Sequence, residues 1–323
     1  MTPLDYEYLR KLLKERSGLV LAPEKQYLLE SRLMPIARRT GCASITDLVR
    51  RLREPDTELL KAEIAETMTI NESFFFRDKI PFDRFRDTVL PAMLAARANS
   101  KRLRIWCAAA STGQEPYSLA MILKSMEEKL SGWRIDIVAT DISNEVLERA
   151  RTGIYSQFEV QRGLPIQMLM QHFEQIGEQW RVSETIRKMV RFRQLNLLAD
   201  FTSLGTFDVV FCRNVLIYFD QATKVNVLER IYRQLTPDGF LLMGAAETVV
   251  GLTDTFVPMA DKRGLYVRAV PQPKPRSSPP LRARRGQNKT PPCGGVSSSD
   301  RSLGVEDAYA EMRASPSSGS RST

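Results

Sequence analysis

The sequence predicts an α/β protein: a mostly parallel sheet with helices on both faces, preceded by an all-helical N-terminal domain. Three observations carry this. The first 80 residues place apolar side chains at helical spacing and show no alternating strand pattern. From Leu103 onward, short apolar runs alternate with helix-length segments, the grammar of strand–helix–strand units. One stretch, 153–189, is too long for a simple crossover and predicts a small inserted subdomain.

In the helical part, Leu9, Leu12 and Leu13 follow i, i+3, i+4 spacing. Leu28, Leu29, Leu33, Ile36 and Ala37 repeat it, and Leu60, Ile64 and Met68 lie four apart. Ser44 followed by Asp47, ahead of Leu48, Val49 and Leu52, marks a helix start. Arg32, Arg38, Arg39, Arg50, Arg51 and Arg53 concentrate positive charge here. Arg32 and Arg39, seven apart, share a helix face, which is either solvated or a docking face for an acidic protein.

In the sheet, residues 103–107 form the first strand and run into a turn of small residues, 108–113. Pro116 suits the first turn of a helix continuing to Leu130. Residues 135–140 form the second strand, followed by a Ser143-capped helix. Inside the insertion, 165–173 is helical and 180–182 a short strand. Residues 190–195 and 207–212 form the third and fourth strands, and Asp220 caps a helix to Leu235. A turn at 237–239 leads to a fifth strand, 240–243, and 256–259 with 265–268 close the sheet as a hairpin-like pair. Beyond 270, Pro- and Ser-rich sequence with one aromatic residue predicts a disordered tail, 271–323.

Composition sets outer bounds. With 43% apolar and 26% charged residues the chain is globular rather than collagenous or a disulfide scaffold. No apolar run is long enough to span a membrane, and the charged N-terminus is no signal peptide. Four scattered cysteines predict reduced thiols and a cytoplasmic setting. A single histidine, His172, argues against a histidine metal site. Of the net charge of +9, the tail holds nine basic against four acidic residues, so the body is only modestly basic.

Ligands of open α/β sheets sit at the carboxyl ends of strands, so the residues after each strand carry the chemistry. After the first strand, the small side chains of Ala108–Gly113 admit a ligand close to the backbone. Glu115 at the helix entry disfavours phosphate and suits an amino group or a positive charge, although taken alone it reads as a helix-stabilising carboxylate. No Gly-x-Gly-x-x-Gly or Walker lysine occurs, which counts against dinucleotides and ATP. Asp141, after the second strand, stands where such folds bind ribose hydroxyls; a lone Asp there also caps helices. Asn196, Leu197 and Leu198 after the third strand suit an adenine ring. Arg213 and Asn214 after the fourth form a ligand-facing loop, with Tyr218 beyond them. The domains are joined by 69–77, where Phe74, Phe75 and Phe76 cannot all face one core; packing is predicted for Phe74 and Phe76.

These strings, AASTGQEPYS at 109–118 and CRNVLIYF at 212–219 above all, resemble the CheR family of chemotaxis-receptor glutamate O-methyltransferases. Residues 71–77, 139–141 with 153–155, 196–198 and 237–239 extend the resemblance over about residues 1–270. It implies a helical domain at 1–80, its linker at 69–80, and a Rossmann-like S-adenosylmethionine-binding domain at 81–270 with a subdomain inserted at about 153–189. It implies that Asn71, Ser73, Arg77, Glu115, Asp141, Asn196, Leu197, Arg213 and Asn214 line the cofactor, with Arg77 and Tyr218 nearest the transferred methyl. Ser73 stands where Thr is expected, and 244–247 (Gly-Ala-Ala-Glu) departs from a Gly-His-Ser-Glu-like pattern. The implied partners are the cytoplasmic methylation helices of chemoreceptors, met by a monomer without nucleic acid or membrane insertion. A short loop at 177–179 points to recognition without a C-terminal receptor pentapeptide. Two other readings stay open: methylation of RNA or a small molecule, and a non-catalytic cofactor-sensing adaptor.

Overall fold

The computed structural model describes residues 1–269; the predicted tail lies outside them. Helix α1 (Pro3–Ser17) starts at a capping box in which the Thr2 hydroxyl accepts from Asp5 N (3.2 Å) and the Asp5 carboxylate from Thr2 N (3.0 Å). It stops at Gly18, whose left-handed φ of 77° a side chain would resist. A Cβ on Gly18 would also stand 2.8 Å from the Phe219 ring. Helices α2 (Gln26–Arg39), α3 (Ile45–Leu52, capped by Ser44) and α4 (Glu58–Thr67) complete the domain. Leu9, Leu13, Leu29, Leu33, Leu48 and Ile64 meet in its core, so the helical spacings read from the sequence face inward.

The arginine cluster is largely engaged inside the domain. Arg32 donates to the carbonyl of Thr69 (2.8 Å) and to that of Met68 (3.2 Å), closing the C-terminal end of α4; it does not contribute to a free face. Arg39 pairs with Glu63, Arg50 with Asp47, and Arg51 donates to the Thr40 carbonyl.

Among the described residues ten strands follow: β1 (Arg102–Ala108), β2 (Arg134–Asp141), β3 (Ile154–Ser156), β4 (Phe173–Ile176), β5 (Gln179–Val182), β6 (Val190–Gln194), β7 (Phe207–Cys212), β8 (Leu235–Met243), β9 (Phe256–Pro258) and β10 (Leu265–Arg268). The main sheet has the order β6-β2-β1-β7-β8-β10-β9. Its first five strands are parallel, and β10 runs antiparallel between β8 and β9. The chain moves outward from β1 through β2 to β6, then returns to β7 on the other side of β1. That reversal opens the crevice at the carboxyl ends of β1 and β7. Strand residues alternate between two cores: Leu103, Ile105 and Cys107 face one, Trp106 and Ala108 the other.

The insertion folds into helical turns and a small antiparallel sheet, β3-β5-β4, of which the sequence pattern marked only the helix near 165–173 and the strand near 180–182. Two local expectations fail. The helix entered by Pro116 spans Gln114–Lys124 and stops short of Leu130; the chain continues in turns that still bring Met126 and Leu130 to the core. The 237–239 segment is not a turn before a strand. It is a bulge inside β8, where the register to β7 jumps from Phe207↔Leu235 to Val209↔Phe240.

Candidate active site

The turn after β1 is built under backbone strain. Ala109 (φ 59°) and Ser111 (φ 50°) take left-handed conformations, each costing about 1–3 kcal/mol in a non-glycine residue. Gly113 (φ 94°) takes a third, and a Cβ there would lie 3.0 Å from Ala150 Cβ. Long-range bonds hold the turn in place. Ala110 N donates to the Thr140 carbonyl (2.9 Å), Ser111 N to Asp141 Oδ2 (2.8 Å), and the Ser111 hydroxyl to the Asn71 carbonyl (2.8 Å). From the inserted subdomain, the Tyr155 hydroxyl donates to the Thr112 carbonyl (2.6 Å).

Glu115 and Asp141 stand at the two strand ends. Glu115 is buried, and its Oε2 accepts from Arg213 Nη1 at 2.7 Å. Burial raises the Glu115 pKa above the usual carboxylate range, against the lowering pull of Arg213. Asp141 is buried too; its Oδ1 accepts from Ser143 N (3.1 Å) and burial raises its pKa against the amides that face it. Asp141 thus carries both readings left open by the sequence: it organises the start of the helix Asn144–Thr152, and it lines the cleft.

Arg213 is almost wholly buried, with 1% of its side chain exposed. Besides Glu115, it meets Asp78 Oδ2 and the Arg77 carbonyl, each at 2.8 Å. Its Nε is buried without a partner among the described residues. Next along, Asn214 adopts φ 58° and the chain forms a short 3-10 turn, Leu216–Tyr218. Burial raises the Tyr218 pKa, so its hydroxyl keeps its proton.

The linker crosses this same opening. Arg77 Nη1 donates to the Glu72 carbonyl (2.6 Å), and its guanidinium lies 5.6 Å from the Phe74 ring centre. Phe75 is fully buried against Tyr155 and Phe173 of the insertion, and Phe76 packs on Phe82. Arg162 stacks on Phe74 at 4.2 Å and pairs with Glu72. None of the three phenylalanines lines the cleft, so the packing role extends to Phe75.

The result is one cleft of about 930 Å³, counting its solvent-open part, within the range of ligand sites. Asn71, Ser73, Arg77, Glu115, Asp141, Asn196, Leu197, Arg213, Asn214 and Tyr218 all line it. Asn196 differs from the expectation in one respect. Its amide is already used, Nδ2 donating to the Arg16 carbonyl (2.6 Å) and Oδ1 accepting from Leu198 N (2.9 Å).

Sequence reasoning gave no role to four contributors. Ser17, the last residue of α1, and Leu19 just beyond it line the cleft from the helical domain. Asp78 is the second carboxylate on Arg213. Glu247 is buried and accepts from the backbone amides of the 214–217 loop. For Glu247 the sequence offered only the departure of 244–247 from a Gly-His-Ser-Glu-like pattern, which assigns the carboxylate no role.

Comparison with known proteins gives a consistent result. Residues 4–69 match the family described as CheR methyltransferase, all-alpha domain, and residues 71–265 the CheR methyltransferase, SAM binding domain. Chemotaxis protein methyltransferase 1 of Pseudomonas aeruginosa is 40% identical over 269 residues, covering 82% of this chain and 97% of that protein. Chemotaxis protein methyltransferase Cher2 of Pseudomonas putida is 38% identical over 270 residues, covering 82% and 98%. Chemotaxis protein methyltransferase 1 of Vibrio cholerae is 39% identical over 255 residues, covering 78% and 92%.

Proposed function

Because the chain belongs to the CheR methyltransferase family, it is an S-adenosylmethionine-dependent protein-glutamate methyltransferase of chemotaxis, and we propose that it works from this cleft on the cytoplasmic helices of chemoreceptors. The observation that carries the proposal is the convergence of ten residues, from four strand ends and the linker, on one opening.

The donor set fits the cofactor. Glu115 offers a carboxylate to an ammonium group, Asp141 an acceptor to hydroxyls, and Arg213 a buried N–H without a partner. Leu197 and Ile142 give apolar walls to a ring, and the small residues 109–111 allow close approach. S-Adenosylmethionine, when bound, supplies an electrophilic methyl carbon whose bond to a cationic sulfur breaks with its electron pair left on sulfur.

The acceptor glutamate, with an ordinary pKa near 4.3, is ionised at pH 7 and needs no general base. A chain with one histidine therefore lacks nothing for this reaction. Proximity and orientation supply the rate. Arg77, tethered to Glu72 and Phe74, positions ligand groups; set tightly on the acceptor carboxylate it would blunt the nucleophile. Tyr218 presents a protonated hydroxyl at the rim that orients the acceptor oxygen. The two-residue connection between β4 and β5, Gly177-Glu178, supports recognition of the methylation helices without a pentapeptide tether, and the reading takes the protein to act there as a cytoplasmic monomer.

Radiolabelled methyl transfer to a receptor cytoplasmic fragment, with and without its last five residues, tests this. Label is expected on both fragments at equal rates, released by alkali as volatile methanol, and reduced at least about tenfold by Arg77→Ala. Base-stable label, or transfer only to RNA, would overturn the assignment; label that needs the five residues would overturn tether-free recognition.

A further inference from the structure

Strand β8 delivers the chain into 244–247, and Glu247 turns back beneath the loop that follows β7. Its Oε1 accepts from Val215 N (3.0 Å), Leu216 N (2.8 Å) and Ile217 N (3.3 Å). Its Oε2 accepts from Asn214 N (2.7 Å) and Gly244 N (2.9 Å). One carboxylate thus gathers five backbone amides, four of them consecutive and leading directly to Tyr218. Their dipoles compensate a buried negative charge. They also hold Asn214 in the left-handed conformation that a non-glycine residue otherwise resists.

We propose that Glu247 is the positioning residue of the ligand-facing loop, and that its charge rather than its bulk sets Asn214 and Tyr218 in place. The proposal rests on the reading of the cleft as the methyl-transfer site. It also accounts for the unusual 244–247 segment. Ala245 and Ala246 face solvent, whereas Gly244 and Glu247 at its two ends are buried. A Cβ on Gly244 would stand 2.7 Å from Glu247 Oε2 and 3.1 Å from Asn214 N, so the nest closes only around a bare glycine. Glutamine is no substitute for Glu247. Whichever oxygen became NH2 would face two or three N–H donors and repel them.

Three variants test this: Glu247→Gln, Glu247→Ala and Gly244→Ala, the last keeping the carboxylate but displacing it. Binding of S-adenosylhomocysteine is measured by calorimetry, methyl transfer by kcat and KM, and loop order by amide exchange at 214–217. Glu247→Gln is expected to weaken binding about tenfold, as much as Glu247→Ala, and to speed exchange at those four amides. Gly244→Ala is expected to reproduce both effects, and it carries the test should the Glu247 variants prove too unstable to purify. A Gln variant that behaves as wild type while Ala does not would overturn the role of charge. Wild-type binding and exchange in Gly244→Ala would overturn positioning altogether. If the wild-type protein itself fails to bind S-adenosylhomocysteine, the reading of the cleft fails, and the exchange data still report whether Glu247 holds the loop.

Discussion

Arg213 brings a full positive charge to a place water hardly reaches, and it does so between two carboxylates from distant parts of the chain, Glu115 and Asp78. Breaking such a buried pair from one side costs more than the pair itself contributes, because the remaining charge stays desolvated. Glu115→Ala is therefore expected to lower stability by about 3 kcal/mol in urea unfolding, in addition to weakening cofactor binding. An unchanged midpoint would show Asp78 alone sufficient for Arg213. Glu115 and Asp141 were legible in the sequence because Asp141 closes an apolar strand and Glu115 enters the helix after the small-residue turn that follows another, where open sheets bind ligands. Asp78 was not, since its partner lies 135 residues away. Glu247 was not, since its amides lie on a neighbouring strand's loop. The partners of Arg32, the carbonyls that end α4, were not legible for the same reason: they are set by helix packing rather than by the seven-residue spacing to Arg39.

The inserted subdomain behaves as a supporting element. Tyr155 braces the turn after β1, Phe75 of the linker seats on Tyr155 and Phe173, and Gly163 abuts the Phe75 carbonyl so closely that no side chain fits. Its stability should therefore register in the site. His172, which ends the helix Ile166–His172, is buried with Nε2 unpartnered among the described residues. Burial, then the charge of Lys124, lowers its pKa below the ordinary 6.5. A base with a depressed folded pKa is protonated first in the unfolded chain, so stability is full above pH 6.5 and falls as pH drops below it, until the folded value is passed. Urea midpoints of the wild type are expected to fall more steeply between pH 7.5 and about 5.5 than those of His172→Gln. Parallel pH profiles would remove His172 from the balance. At this scale the sequence announced the helices of the N-terminal domain and eight of the ten described strands through local periodicity, but not the helical turns at 80–96, the strands β3 and β4 or the short helices at 157–161 and 184–187; Ser143 precedes its helix as read, though its side chain makes no cap bond. Ser44 and Asp220 both cap as read, each side chain accepting from the amide three residues on. The end of the helix Gln114–Lys124 and the bulge in β8 escaped, because both depend on what the element packs against.

For the whole molecule, the cleft belongs to neither domain alone. Val20 N donates to the Tyr218 carbonyl (2.9 Å), Asn196 to the Arg16 carbonyl, Lys14 pairs with Asp220 (2.7 Å), and Glu66 accepts from Asn144 N (3.0 Å). These ties carry the helical domain over the carboxyl edge of the sheet, with the linker between. A ligand in the cleft should then lock the linker. With S-adenosylhomocysteine at a hundred times its Kd, trypsin cleavage after Arg77 is expected to slow about a hundredfold, because the bond is cut only when the site opens. An unchanged cleavage rate would show that the linker moves independently of the cleft. By itself the sequence determined the α/β class, the helical domain before it, the insertion, and the strand-end residues of the site. Each of these is written in spacings of a few residues. Only the tertiary structure decided that Asp78 shares Arg213, that Asn196 is spent on the helical domain, and that Glu247 gathers five amides. Hydrogen-bond partners tens of residues apart meet only once the sheet has closed its order around β1.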